Sequence, residues 1–144
     1  MGRVERIWIK PAHLGPMEAV PFVEAERNRG LAGNANRGGR RQVTLLARES
    51  WQRTAARAGL PLDPVIRRAN ILLSGVVLEE SGGRVLRLGE CRIRILGETR
   101  PCARMDEAHP GLRRILEEPW AGGAYGQVLR GGRIAIGMEA AFAD

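Results

Sequence analysis

VLRLGECRIRIL, residues 85–96, decides the fold class. Leu86 and Leu88 precede Gly89; beyond it, Cys91, Ile93 and Ile95 alternate with Arg92 and Arg94. A period of two puts the apolar set on one face of a strand and the arginines on the other. Cys91 shares the register of Ile93 and Ile95, so it is expected to be buried and inert, a small hydrophobe.

Working outward, Leu112, Ile115 and Leu116 keep helical spacing and predict a helix after Pro110. YGQVLRGGRIAIG, residues 125–137, holds two apolar runs around Gly131-Gly132 and predicts a hairpin. Upstream, Ile71–Leu73 is a short apolar run broken by Gly75, and Asp63-Pro64 caps a short turn through Arg68. Glu49–Ala58 reads as a helix stopped by Gly59 and Pro61. Val43–Ala47 is a buried-type strand, Val4–Ile9 a first strand, and Ala19–Val23 a second apolar stretch. Lys10–Met17 is a loop, as is the Gly-, Asn- and Arg-rich segment that follows Glu26. The expectation is a mainly β, barrel-type fold with one to three short helices packed on it, forming a single domain over residues 1–144.

Composition narrows the functional classes. The chain carries 23 basic and 16 acidic residues, a net charge of +7, and every basic residue except Lys10 is arginine. Arginine's planar fork suits phosphate and carboxylate partners, although a GC-rich coding bias produces the same preference. Between Arg27 and Arg48 there is no acidic residue. Aromatic content of 4% leaves few side chains to stack on bases, and no nucleic-acid motif appears, so a nucleic-acid partner is disfavoured. There is no export signal and no apolar run of spanning length, so a reducing, cytoplasmic setting without membrane contact is expected. His13 and His109 have no metal-ligand partner at recognisable spacing.

The second cysteine stands in a different context. In GETRPCARMD, residues 97–106, Cys102 follows a proline and lies between Arg100 and Arg104. Proline holds Arg100 extended and presents the thiol on a defined corner, and nearby guanidinium groups favour a thiolate. Residue logic leaves two readings open, a reactive thiol or a half-buried loop cysteine without a role. Arg37–Gln42 before a strand, and Arg67-Arg68-Ala69-Asn70 before another, are polar segments able to bind an anion or simply to face solvent.

In order, KPAHLGPM (10–17), GLAGNA (30–35), RQVTLLARE (41–49), RRANILLSG (67–75), RLGECRIRILGETRPCARMD (87–106) and YGQVLRGGRIAIG resemble the MOSC domain, named for the C-terminal domain of molybdenum-cofactor sulfurase. The likeness runs from about Ile9 to Ala140. It implies a β-barrel whose Pro-Cys cysteine, here Cys102, carries sulfur or ligates molybdenum of the pterin cofactor. It also implies cofactor contacts at Gly33, Asn34, Asn36, Arg41, Gln42, Arg68, Asn70, Arg100 and Arg104. Many members carry Gly-Asp-x-His where this chain has Gly33-Asn34-Ala35-Asn36, so two amides replace a carboxylate and an imidazole. An amide hydrogen-bonds but does not shuttle protons near neutral pH.

The resulting expectation is a standalone binder of molybdenum cofactor, with Cys102 as molybdenum ligand or persulfide carrier. Some members of the family reduce N-oxygenated compounds, and a sulfur donor or an electron-transfer protein would be the partner. The rivals are an Arg-rich anion- or nucleic-acid-binding module without catalysis, and a metal-free sulfur carrier.

Overall fold

The computed structural model describes residues 2–59, 62–102 and 104–143. In chain order the strands are β1 (Gly2–Ile9), β2 (Glu18–Ala19), β3 (Phe22–Glu26), β4 (Gly30–Leu31), β5 (Val43–Ala47), β6 (Ile71–Ser74), β7 (Val85–Leu88), β8 (Cys91–Glu98), β9 (Ala124–Arg130), β10 (Gly132–Ala135) and β11 (Glu139–Phe142). Three helices, α1 (Arg48–Ala58), α2 (Arg104–Ala108) and α3 (Leu112–Ile115), and a 3₁₀ turn (Pro64–Arg67) complete the described elements.

The main sheet runs β11-β7-β8-β9-β5-β6-β1, and β1 pairs back onto β11, which closes a seven-stranded barrel. Closure sets Gly2 opposite Ala140 in an antiparallel ladder. All neighbours in the ring are antiparallel except β5 and β6, whose parallel pairing requires the crossover that α1 and the 3₁₀ turn supply. A second sheet, β10-β3-β4, lies beside the barrel.

Alternation governs the packing. On β8, Cys91, Ile93 and Ile95 are fully buried while Arg94 is exposed, as the period of two predicts. Each such isoleucine contributes roughly 1.5–3 kcal/mol on leaving water. Strand β5 is buried on both faces, which accounts for its unbroken VTLLA reading. Val43 and Leu45 join the barrel interior, whereas Leu46 joins Trp8, Leu72, Trp51, Met105 and Leu112 under the helices. Helix α1 ends at Gly59, which adopts the left-handed conformation (φ 75°) and donates its N–H to the last-turn carbonyls. The Pro61 part of the expected stop lies outside the described residues.

The predicted hairpin at Gly131-Gly132 does not form. One residue separates β9 from β10, too few for a two-residue turn, and both edges of β9 are already paired with β5 and β8. The chain instead crosses into the second sheet, where β10 pairs with β3 from Gly132↔Ala25 to Ala135↔Phe22. Glycine is required there because a Cβ on Gly131 would lie 2.5 Å from the Ala25 carbonyl. The segment expected to be all loop after Glu26 also contributes a short strand, β4, whose Leu31 is fully buried.

Candidate functional site

The parallel pair fixes the place of the site. Thr44 near the start of β5, Asn70 just before β6 and Lys10 just after β1 meet at one end of the barrel, beside the Ala32–Gln42 loop and the Thr99–Met105 segment. Between them is a pocket of about 170 Å³. It opens toward a groove of about 380 Å³ that shares Met17, Arg68, Arg104 and Met105, and continues along Val65, Ile66 and Ala108.

Asn70 ties the floor together. Its Oδ1 accepts from the Thr44 backbone N–H at 3.0 Å and the Thr44 hydroxyl at 3.1 Å. Its Nδ2 donates to the Trp8 carbonyl at 3.1 Å and to Asn34 Oδ1 at 3.4 Å. Asn34 Oδ1 also accepts from the Lys10 backbone N–H at 2.7 Å, and its Nδ2 donates to the Asn36 carbonyl at 3.3 Å. The two amides thus brace three segments of chain. Gln42 braces too: its amide donates to Gly39 and Asn28 and accepts from the Val128 N–H.

The wall carrying Cys102 is held by Arg67, whose side chain is buried. Arg67 donates to the Gly122 carbonyl at 2.9 Å, the Thr99 carbonyl at 3.3 Å and the Arg100 carbonyl at 3.2 Å. Burial lowers its guanidinium to about 10, Arg41 adds like-charge repulsion, and the charge on Cys102 opposes both; the group stays protonated at neutral pH. Arg68 next to it turns the other way, because it closes the 3₁₀ turn in the left-handed conformation (φ 65°). A non-glycine residue there is strained, and Arg68 is anchored by donating to the Gly15 carbonyl at 2.5 Å. Burial first, then Arg104, lowers the Arg68 guanidinium, again opposed by Cys102. Arg67 and Arg68, from a distant part of the sequence, are thus brought to the same pocket as Cys102.

Cys102 is exposed at the pocket, and Lys10, Arg41, Arg68 and Arg104 line it with no carboxylate among the lining residues. None of these four cations makes an ion pair among the described residues. Burial lowers the Lys10 amine, with Arg68, Arg41 and Arg104 adding repulsion in that order. An acid-free cluster of cations has a net demand for an anion.

Of the residues singled out from sequence, Asn34, Asn36, Arg41, Gln42, Arg68, Asn70, Cys102 and Arg104 line this pocket. Gly33 and Arg100 do not. Gly33 makes the turn before Asn34 with φ 83°, and Arg100 points to solvent, 3.2 Å from Glu98. Sequence reasoning missed Lys10 as a site residue, and it flagged Arg67 only within a polar segment, without its buried role behind Cys102. Its own signal was on view for Lys10, the one lysine in a chain otherwise using arginine. Cys91 is buried, and burial pushes its thiol up to about 11, in keeping with an inert core role. No group of three or more His, Cys, Asp or Glu side chains that could hold a metal ion occurs among the described residues, so any metal here would draw one protein thiolate from Cys102.

The structure is thus a closed seven-stranded barrel with an exposed thiol beside a cation-lined pocket at one end. The MOSC domain matches residues 11–140, and the chain belongs to that family. The fold is shared with the YuaD protein of Bacillus subtilis (TM-score 0.84, 19% identity, 97% of this chain and 94% of that one). It is shared also with YiiM of Geobacillus stearothermophilus (TM-score 0.77, 16% identity, 100% and 76%) and YiiM of Escherichia coli (TM-score 0.74, 16% identity, 99% and 70%). No protein of curated function matches the sequence.

Proposed function

We propose that this MOSC protein binds molybdenum cofactor, or a related phosphorylated pterin, at the Cys102 pocket. The observation that carries the reading is the convergence of Lys10, Arg41, Arg68 and Arg104, all without an anionic partner among the described residues, on an exposed thiol. The donor set fits the group. The four cations suit its phosphate, the groove along Met17, Val65 and Ile66 suits a planar ring system, and a soft thiolate suits molybdenum. When bound, the cofactor supplies two-electron redox chemistry, of the kind that reduction of N-oxygenated compounds requires.

This chain's own residues bind and orient. Arg67 holds the backbone that presents Cys102, Asn70 and Asn34 fix the floor, and the cations neutralise the ligand's charge. The test is molybdenum elemental analysis with pterin fluorescence on protein from a cofactor-producing host. Near-stoichiometric metal and pterin in the wild type, with the metal lost in Cys102→Ser, supports the reading. Absence of both from the wild type overturns it.

A further inference from the structure

The outer face of β7, β8 and β9 carries a row of like charges. Arg87 on β7 stands directly across from Arg92 on β8, and Arg92 directly across from Arg130 on β9. Arg94 lies two residues along β8 on the same face, opposite Gln127. Alternation alone would turn Arg130 inward with Gly126 and Val128. A register shift between Arg92↔Arg130 and Ile93↔Val128 adds one residue to β9 there, and Arg130 comes out exposed beside Arg92. The row extends past the barrel. The Asn28 N–H donates to the Val128 carbonyl at 2.8 Å, which sets the exposed Arg27 and Arg29 next to the end of β9.

Like charges placed opposite one another across a sheet are destabilising, and the fold does not relieve them. Arg27, Arg29, Arg87, Arg92, Arg94 and Arg130 make no ion pair among the described residues, although Glu90 and Glu139 border the row. Backbone carbonyls instead fix two of the guanidinium groups: Arg92 donates to those of Gly89 and Cys91, and Arg94 to that of Gly83. Neighbouring strands are about 4.8 Å apart, so the three opposed arginines form a line of fixed cations about 10 Å long.

The chemistry of the face selects among polyanions. A protein partner calls for an apolar, charge-poor centre, and Leu129 is the single large apolar side chain exposed on these strands among the described residues. A single strand of nucleic acid calls for aromatic platforms, and the chain is only 4% aromatic. A double helix calls for neither. Its phosphates present one charge per about 1.7 Å of axis, and the surfaces that bind it are far more basic than those between proteins. Guanidinium forks match phosphate oxygens in shape as well as charge.

We propose that the β7–β8–β9 face binds the phosphate backbone of double-stranded nucleic acid without reading its sequence. The contact is electrostatic, with the arginine row laid along the phosphates and no side chain committed to a base edge. No residue of the row lines the Cys102 pocket, so the inference goes beyond the function proposed above and stands apart from it.

The experiment follows the fluorescence anisotropy of a labelled DNA duplex of about 20 base pairs, titrated with the full chain between about 50 and 200 mM salt. Four row arginines should give a logarithmic salt slope of about −3 to −4, a fall of roughly hundredfold in affinity across that range. A duplex of unrelated sequence should bind within about twofold of the first. Arg87→Gln with Arg130→Gln should shrink the slope by about 2 while the melting temperature holds or rises, since opposed charges are removed. Arg53→Gln with Arg57→Gln on α1 removes the same charge elsewhere and should move the slope by less than about 0.5. Should the row pair fail to fold, as read by circular dichroism, Arg27→Gln with Arg29→Gln must weaken binding more than the α1 pair does. Absence of binding by folded wild-type protein overturns the inference, as does an equal loss in the row and α1 pairs. So does a preference for polyglutamate, or for vesicles of phosphatidylserine and phosphatidylcholine, over the duplex; those results would assign the face to an acidic protein or to a lipid surface.

Discussion

Replacing Arg67 by methionine tests the architecture of the site most directly. Methionine keeps the length and apolar stem and removes the donors. The guanidinium now serves three carbonyls, of Gly122, Thr99 and Arg100, and among the described residues the Gly122 oxygen alone has a second side-chain donor, the Thr99 hydroxyl at 2.6 Å. Charge-assisted bonds contribute about 1.5–3 kcal/mol each, giving a gross figure of roughly 4–9 kcal/mol. Against it stands the cost of burying the charge, roughly 3 kcal/mol if the descent of Arg67 to about 10 is converted. The variant saves that cost but takes the donor from the buried Thr99 carbonyl and the part-buried Arg100 carbonyl, so the expected net loss is about 2–4 kcal/mol. For a chain of this size the melting temperature should fall by roughly 6–12 °C. Urea unfolding at pH 7 measures the free energy and a thermal scan the temperature. Arg67→Lys should recover less than half, because one ammonium does not span three acceptors. A loss under about 1 kcal/mol in Arg67→Met would refute the claim that this side chain holds the Cys102 wall.

Asn70→Ala removes four hydrogen bonds at the pocket floor and should cost about 2–4 kcal/mol in urea unfolding; a change within 0.5 kcal/mol, the usual surface value, would contradict the bracing role. Lys10 is the sole lysine, so amine acylation mapped by mass reports on it alone; burial and the three arginines lower it, so its acylation should reach half-maximal rate at a lower pH than a free lysine side chain, and salt should move that midpoint back up. Cys91 keeps its proton up to about 11 when folded, whereas the unfolded chain loses it near 9. Stability should therefore be intact below that unfolded value and fall by about 2–3 kcal/mol as pH rises from 9 to 11, a slope that Cys91→Val should lack. In the native protein only Cys102 should react with a thiol-specific disulfide reagent, and rapid labelling of Cys91 would show that the barrel opens.

Strands with one buried face, or with both buried, were legible in the sequence because periodicity records burial locally. Val43–Ala47 coincides with its strand, and Cys91, Ile93 and Ile95 face inward as their spacing required. What spacing does not record is partner choice. Tyr125–Gly137 carries hairpin chemistry, yet the strand before the glycines has both edges occupied by segments far away in sequence. The site divides in the same way. The Pro-Cys corner and the polar run before β6 stood out by residue type, but which of Arg67 and Arg68 turns inward depends on the left-handed backbone of Arg68. That conformation leaves no mark in composition. Arg100, adjacent to the cysteine's proline, stood out by residue type, but it does not line the pocket and its guanidinium lies 3.2 Å from Glu98.

The pairing of β1 with β11 sets a schedule for synthesis. As the chain emerges from the ribosome, β1 appears before one of its ladder partners, β11, with well over a hundred residues between them. Until Glu139–Phe142 is free of the exit tunnel, part of β1 and one whole edge of β7 present unpaired N–H and C=O groups to any passing strand. Withholding Glu139–Phe142 therefore leaves an adhesive seam along β7 and part of β1, a hazard that lasts until this one short strand is in place.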